Sequence, residues 1–307
     1  MIKKEQTQRQ NPFKAWKRDI NSTSPLFVAM FVILAIYTFL ILFLLFWGVI
    51  TSLKDVGDFR TNIMGLPKEW KWDNFANVFE NFYVSVNRNG VPGKVYFEEL
   101  LLYTVTYAVG GAFIQTIVPC FVAYACSRFN YKFNGVIKGI VIVTMILPII
   151  GSAPAEISLL RTLGLYDTIW GNWIQKFNFI GMYFLVFYAS FQTVSKDFSE
   201  AAYIDGAGEF TIMFRIILPI VRNTFFTILL IRFIDFWNDY QTPILYLPTH
   251  PTLAYGVYIL STTNINSMNT VPMRMAGCVI LLIPILIIFL IFRERIMGNI
   301  TLGGVKE

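Results

Sequence analysis

Residues 26–50 read LFVAMFVILAIYTFLILFLLFWGVI, twenty-five positions without a single charge. As a helix rising about 1.5 Å per residue, a run of that length exceeds the ~30 Å hydrocarbon core of a bilayer. The apolar core of a secretory leader is shorter, roughly 7–15 residues, and ends at small side chains. This one ends in Phe46-Trp47-Gly48, so it reads as a retained first membrane helix. Five more apolar runs follow, at 100–126, 139–160, 177–194, 223–247 and 276–292. Together they predict an all-α membrane protein with six transmembrane helices.

The composition agrees. Of 307 residues, 55% are hydrophobic, 17% aromatic and only 14% charged, against about 25% charged in soluble domains. Disorder demands low hydrophobicity and high charge, so it is excluded as well. The net charge of +6 does not suggest a nucleic-acid partner, because the basic residues collect at the start and in short connections. Cys120, Cys126 and Cys278 all lie in apolar runs, where they act as small hydrophobes, and His250 is the one histidine. Neither a disulfide framework nor a metal cluster is supported.

Six spans put both termini on one side, and the distribution of Lys and Arg selects it. Segments 1–24, 127–138, 195–222 and 293–307 hold 15 of them, while 51–99, 161–176 and 248–272 hold eight. Both termini are therefore expected in the cytoplasm. The chain divides into a cytoplasmic segment 1–25, a six-helix domain 26–292 and a cytoplasmic tail 293–307. Outer loop 51–99, with Trp70 and Trp72, reads equally as a small packed cap or as a surface loop at the interface.

Charges inside spans are costly and call for an account. Arg232, Asp235 and Asp239 are spaced by three and four residues, which predicts one face of the fifth helix. They read either as a structural ion pair or as the lining of a pathway. Pro148, Gly151 and Pro154 interrupt the third run just before Glu156, which predicts a kink or a break beside a cavity. His250, between Pro248 and Pro251, reads as a solvated loop residue. No nucleophile–base set, HExxH or phosphate-cradling glycine loop is present, so an enzyme is not expected.

The inner segment between the fourth and fifth runs carries the functional argument. It reads Asp197-Phe198-Ser199-Glu200-Ala201-Ala202-Tyr203-Ile204-Asp205-Gly206-Ala207-Gly208 and continues to Leu218-Pro219. Ser199 is expected as an N-cap with Glu200 in the first turn, favourable to the helix dipole. Gly206 and Gly208 are expected where a sharp turn needs positive φ. A second helix to Pro219 completes a helix–turn–helix knuckle whose small side chains admit close approach by another protein.

Glu200-Ala201-Ala202, Asp205-Gly206-Ala207 and Leu218-Pro219 together resemble the EAA loop of permease subunits of ATP-binding-cassette importers. Phe236-Trp237-Asn238-Asp239-Tyr240, the Ala123-Tyr124-Ala125 and Ser127-Arg128-Phe129 pair, and the tail from Gly298 to Lys306 narrow the resemblance. They are similar to carbohydrate permeases of the maltose type, in particular the smaller permease subunit. The chain departs from that pattern at Val194-Ser195 and Asn223, where prolines are usual, and in the length of loop 51–99.

The resemblance implies a heterodimer with a second, different permease, a dimer of ATP-binding subunits, an extracytoplasmic solute-binding protein and a carbohydrate substrate. All would sit in a bacterial-type cytoplasmic membrane among its lipids. No cofactor is expected on this chain; ATP and Mg belong to the partner ATPase. ATPase coupling is assigned to Glu200, Ala201, Ala202, Asp205, Gly206, Ala207 and Gly208, with a C-terminal contact through Thr301, Gly303, Gly304 and Lys306. Along the translocation path stand Arg232, Asp235, Asn238, Glu156, Trp237 and Tyr240; the last two offer aromatic faces to pyranose rings. The competing readings are an importer permease for a non-sugar solute and a stand-alone secondary carrier that uses the Arg232, Asp235 and Asp239 face.

Overall fold

A computed structural model describes residues 25–88, 90–147, 151–262 and 270–297. Pro148 and the tail residues Thr301, Gly303, Gly304 and Lys306 lie outside them. The described residues begin with α1 (Pro25–Ser52), an apolar helix, and continue into two short helices, α2 (Val56–Thr61) and α3 (Asp73–Asn81). A hairpin of β1 (Tyr83–Arg88) and β2 (Val91–Tyr96) then leads into α4 (Phe97–Arg128). At 32 residues α4 is about 48 Å long and separates the two ends of the molecule.

The remaining elements pack around α4. They are α5 (Asn134–Ile146), α6 (Ala153–Thr162), α7 (Ile169–Gln175), α8 (Met182–Gln192), α9 (Asp197–Ile204), α10 (Glu209–Ile220) and α11 (Arg222–Asn238). After them come α12 (Gln241–Tyr246), α13 (Leu253–Thr262) and α14 (Val271–Met297). Among the described residues α1, α4 and the 271–292 part of α14 are long and apolar enough to cross a membrane, and α10 with α11 forms a fourth such unit bent by 80°.

The other apolar runs are divided where their sequences carry breakers. Run 139–160 is split between α5, closed at Leu147, and α6, with Gly151 at φ +88° between them. Run 177–194 yields only the eleven-residue α8, which starts after Gly181 at φ +133°. Run 223–247 parts between Asn238 and Gln241. Hydropathy measures composition and does not distinguish one helix from two halves. Such breaks survive at membrane depth where protein or a cavity surrounds the freed backbone.

The expected all-α class is corrected at the hairpin. Tyr83 pairs with Tyr96 and Arg88 with Val91 in antiparallel register, with Gly90 at φ +87° in the turn. Alternating Val84 and Val86 face inward with Val95, and these pack on Leu100, Leu253 and Ala276. Loop 51–99 is thus a packed cap. It is tied to α1 by Trp47 Nε1, which donates to the Ile63 carbonyl at 3.0 Å, and folded on itself by the buried Lys54, whose Nζ donates to the carbonyls of Asn62 (2.6 Å) and Ile63 (3.1 Å).

A close helix approach joins α4 to α11. A Cβ added at Gly111 would stand 2.7 Å from Cε1 of Phe236, so only glycine lets the Phe236 ring lie against the α4 backbone. Tyr107, one turn earlier, meets the same ring edge-on at 5.2 Å. Toward the other end Tyr124 packs edge-on against Phe191 of α8 at 5.6 Å. Overpacking a site of this kind costs about 1–3 kcal/mol. Gly111→Leu is therefore expected to lower the thermal unfolding midpoint of the solubilised protein, and adding Phe236→Ala to recover part of the loss. A midpoint unchanged in Gly111→Leu contradicts this packing.

Candidate functional site

Two regions hold the sequence-derived residues: a knuckle at the α8 end of α4 and a polar cavity beside α11. The knuckle rests on Arg128. Its Nη2 donates to the carbonyls of Phe191 (3.0 Å) and Val194 (3.1 Å), which fastens the end of α4 to the end of α8. The α9 helix starts directly afterwards, with Asp197 and Glu200 in its first turn. Ser199 is not the N-cap, in contrast to the sequence expectation. It lies inside the helix with a buried, unpartnered Oγ, while Ser195 Oγ accepts from the Asp197 N–H at 3.2 Å. The helix begins three residues earlier than the Ser-Glu pair suggested because Asp197 also suits a first turn.

The turn itself follows the glycine argument at one position. Gly206 takes φ +79°, and the N–H groups of Asp205, Gly206 and Ala207 donate back to the carbonyls of Ala201, Tyr203 and Ala202. Gly208 is extended at φ −77°, ψ 162°, a conformation open to any residue, so its expected positive φ is corrected. Ala202 is buried in the chain's own core with Ile212, Met213 and Ile217, so it packs inward instead of offering itself to a partner. Glu200, Ala201 and Asp205 are exposed. Ile204 (87% exposed) and Phe210 (74%) stand out from the tip as apolar knobs. Between them Tyr203 donates to Glu209 Oε1, and that carboxylate holds the Tyr203 hydroxyl up to about 12.

From the knuckle α10 runs toward the cavity through a π-helical stretch, Ile212–Ile217, in which the Leu218 N–H reaches back to the Met213 carbonyl. Pro219 has no N–H to donate, and the axis turns by 80° at Val221 before α11 begins. Knuckle and α11 are thus one continuous, internally hydrogen-bonded piece.

The cavity has a volume of about 570 Å³ and includes Gln115, Lys176, Arg232, Asp235, Asn238 and Asp239 in its wall, with Tyr240 at its edge. Arg232 Nη1 lies 3.5 Å from Asp235 Oδ2, and its guanidinium covers the Tyr183 ring at 4.3 Å. Asp239 shares this cavity but not their helical face, since α11 ends at Asn238. It is held by Tyr107, whose hydroxyl donates to Oδ2 at 2.7 Å, and by the Thr242 N–H, which donates to Oδ1 at 3.0 Å. Tyr240 stacks on Tyr258 with centroids 4.6 Å apart.

Two path candidates fall outside the wall. Trp237 is 3% exposed and donates Nε1–H to the Leu281 carbonyl at 3.1 Å, so it packs α11 on α14. Glu156 Oε2 accepts from Gln175 Nε2 (2.6 Å) and the Tyr246 hydroxyl (2.9 Å), which joins α6, α7 and α12. Lys176 and Gln115 are wall residues that the sequence did not single out. Burial pushes the Lys176 ammonium below its usual range, with the charges of Asp239 and Glu156 opposing. His250 is not simply solvated: it lies 3.4 Å from Asp167 Oδ1 and edge-on to Tyr103. Among the described residues no group of three or more His, Cys, Asp and Glu could hold a metal ion. The cavity offers charges of both signs, amides and a phenol, a set suited to a hydroxyl-rich solute.

A family model described as binding-protein-dependent transport system inner membrane component matches residues 101–300. The diacetylchitobiose uptake system permease protein NgcG of Streptomyces coelicolor is 23% identical over 276 residues, covering 88% of this chain and 86% of that protein. The arabinooligosaccharides transport system permease protein AraQ of Bacillus subtilis is 24% identical over 291 residues, covering 91% and 95%. Among solved structures, a chain of a bacterial ABC transporter involved in the import of the acidic polysaccharide alginate superposes with a TM-score of 0.69 at 21% identity, over 87% of this chain and 95% of that one.

The Tyr107–Asp239 contact gives a measurable expectation. A hydrogen bond to a charged group contributes about 1.5–3 kcal/mol. Tyr107→Phe should therefore lower the unfolding midpoint, whereas Asn238→Ala, which removes only an exposed bond to the Ile234 carbonyl, should leave it nearly unchanged. Equal midpoints for wild type and Tyr107→Phe would show that the carboxylate is held by other groups.

Proposed function

The chain belongs to the binding-protein-dependent transport system inner membrane components, and from that membership we propose that it is one permease half of an ATP-driven importer for a sugar or oligosaccharide. The carbohydrate solutes named for its relatives support the substrate class. In this reading six segments cross the cytoplasmic membrane with both termini inside, and the broken run 223–247 supplies most of the cavity wall. The partners are a second, different permease, a dimer of ATP-binding subunits and a solute-binding protein on the outer face. A periplasmic protein bound to an alginate pentasaccharide accompanies the alginate ABC transporter in a related structure. ATP and Mg are bound by the ATPase subunits, and this chain carries no cofactor.

The observation that carries the mechanism is the clamped knuckle with its exposed Ile204 and Phe210. These knobs enter a groove on one ATPase subunit, with Glu200 and Asp205 pairing at its rim. Gly206 sets the turn, Ala201 and Ala207 allow close approach, and Ala202 fixes α9 to its own helices. Thr301, Gly303, Gly304 and Lys306 supply a second contact. When the ATPase subunits close on ATP, the knuckle moves with α10, and the 80° bend transmits the motion to α11. The groups along Arg232, Asp235, Asn238, Asp239 and Tyr240 are then re-presented from one side of the membrane to the other. A coupling element must hold its partner in both states while moving rigidly with the helices, and the Arg128 clamp meets that need.

The test is substrate-stimulated ATP hydrolysis by the reconstituted complex, comparing wild type with Glu200→Ala plus Gly206→Pro. The double variant should insert normally yet release the ATPase subunits or lose stimulation. Normal assembly together with normal stimulation removes the knuckle as the transmitter. Transport by the wild-type chain with no ATPase bound replaces the importer reading with a secondary carrier.

A further inference from the structure

A second cavity, of about 610 Å³, opens between the end of α4, the start of α5 and the end of α8. Its wall contains Arg128, Lys132, Lys138 and Lys196 and no acidic residue. Among the described residues none of these four cations has a carboxylate within the 4.0 Å of an ion pair. Arg128 donates only through Nη2, and its buried Nε has no partner. Lys138 lies over the ring of Tyr188, 5.0 Å from its centroid, and within 3.3 Å of its hydroxyl. Four like charges facing one space repel each other, and an anion placed among them relieves that repulsion.

The basic cavity is not isolated. An apolar cavity of about 570 Å³, walled by Phe121, Val122, Phe133 and Ile137, shares Cys126, Tyr131 and Asn134 with it. A free anion would use the first and leave the second empty, whereas an amphiphile with an anionic head fills both. The pair sits where α4 ends and α5 begins, and because α4 is long and apolar enough to cross a membrane, its end is expected where a span gives way to head groups. We propose that this pair of cavities is a binding site for an anionic phospholipid, its phosphate among Arg128, Lys132, Lys138 and Lys196 and an acyl chain along Phe121, Val122 and Ile137. Basic pockets between membrane helices on the cytoplasmic side recognise such head groups. The orientation proposed above decides only that the lipid comes from the inner leaflet. Because Lys196 immediately precedes α9, the lipid joins the base of the knuckle to the start of α5.

The test is native mass spectrometry of the full-length protein with the subunits that co-purify, titrated with phosphatidylglycerol or with phosphatidylcholine of the same acyl chains. It needs no ATP hydrolysis, so it stands or falls separately from the coupling mechanism. Wild type is expected to prefer phosphatidylglycerol. Lys132→Gln and Lys196→Gln change exposed side chains that the fold does not need, and each is expected to weaken that lipid roughly fivefold. Adding Lys138→Gln brings the loss to about a hundredfold, and the corresponding triple arginine variant keeps the affinity. Equal binding of the two lipids by wild type overturns the proposal, as does unchanged phosphatidylglycerol binding by the glutamine variants. Displacement of phosphatidylglycerol by inorganic phosphate would assign the site to a free anion and also overturn it.

Discussion

Inside hydrocarbon no water satisfies a backbone N–H or C=O, so every interruption of a helix must be answered by protein. The organisation of this chain follows from that constraint. At the end of α11 the answer is Asp239, whose carboxylate takes the Thr242 N–H and the Tyr107 hydroxyl. At the α10 bend it is a π-helical stretch that reaches five residues back around Pro219. The polar groups recruited for the first break also form the wall of the cavity. A requirement of the backbone and the capacity to meet a polar solute are thus served by the same residues.

The long helix α4 turns these local solutions into one body. Gly111 admits the Phe236 ring and brings α11 against it near the cavity, while Arg128 fastens α8 at the other end. Between those points α10 and α11 run from knuckle to cavity with no flexible linker. Ile204 and Arg232 are thus joined through consecutive helices. The cap is held by the buried Lys54 and by the hairpin valines, which pack it on the start of α4 and on α13 and α14.

Much of this was legible in the residues, and the exceptions have physical causes. The apolar runs, the knuckle, the positive φ of Gly206 and the Arg232–Asp235 pair were all readable because each rests on local spacing. The hairpin was missed although Val84, Val86 and Val95 alternate around Asn89-Gly90, a combination that favours a tight turn between strands. So short an alternation is masked in a chain whose composition is dominated by long apolar runs. Lys176 left no signal at all: it is an ordinary loop lysine until α7 folds it toward Asp239.

Asp239 and Trp237 show where the boundary falls. Their spacing along the chain is fixed by sequence, and a regular helix would have sent Asp239 to the face of Arg232. The helix stops one residue earlier, and the carboxylate instead answers to Tyr107, 132 positions away. Trp237 had the chemistry to stack on a sugar, yet the approach of α14 offers its N–H the Leu281 carbonyl and buries the ring. The sequence by itself determined which segments are apolar and which segment folds as the knuckle, because hydropathy and turn formation depend on neighbouring residues. Only the tertiary structure decided which polar side chains face a common cavity, because that depends on contacts between helices distant in the chain.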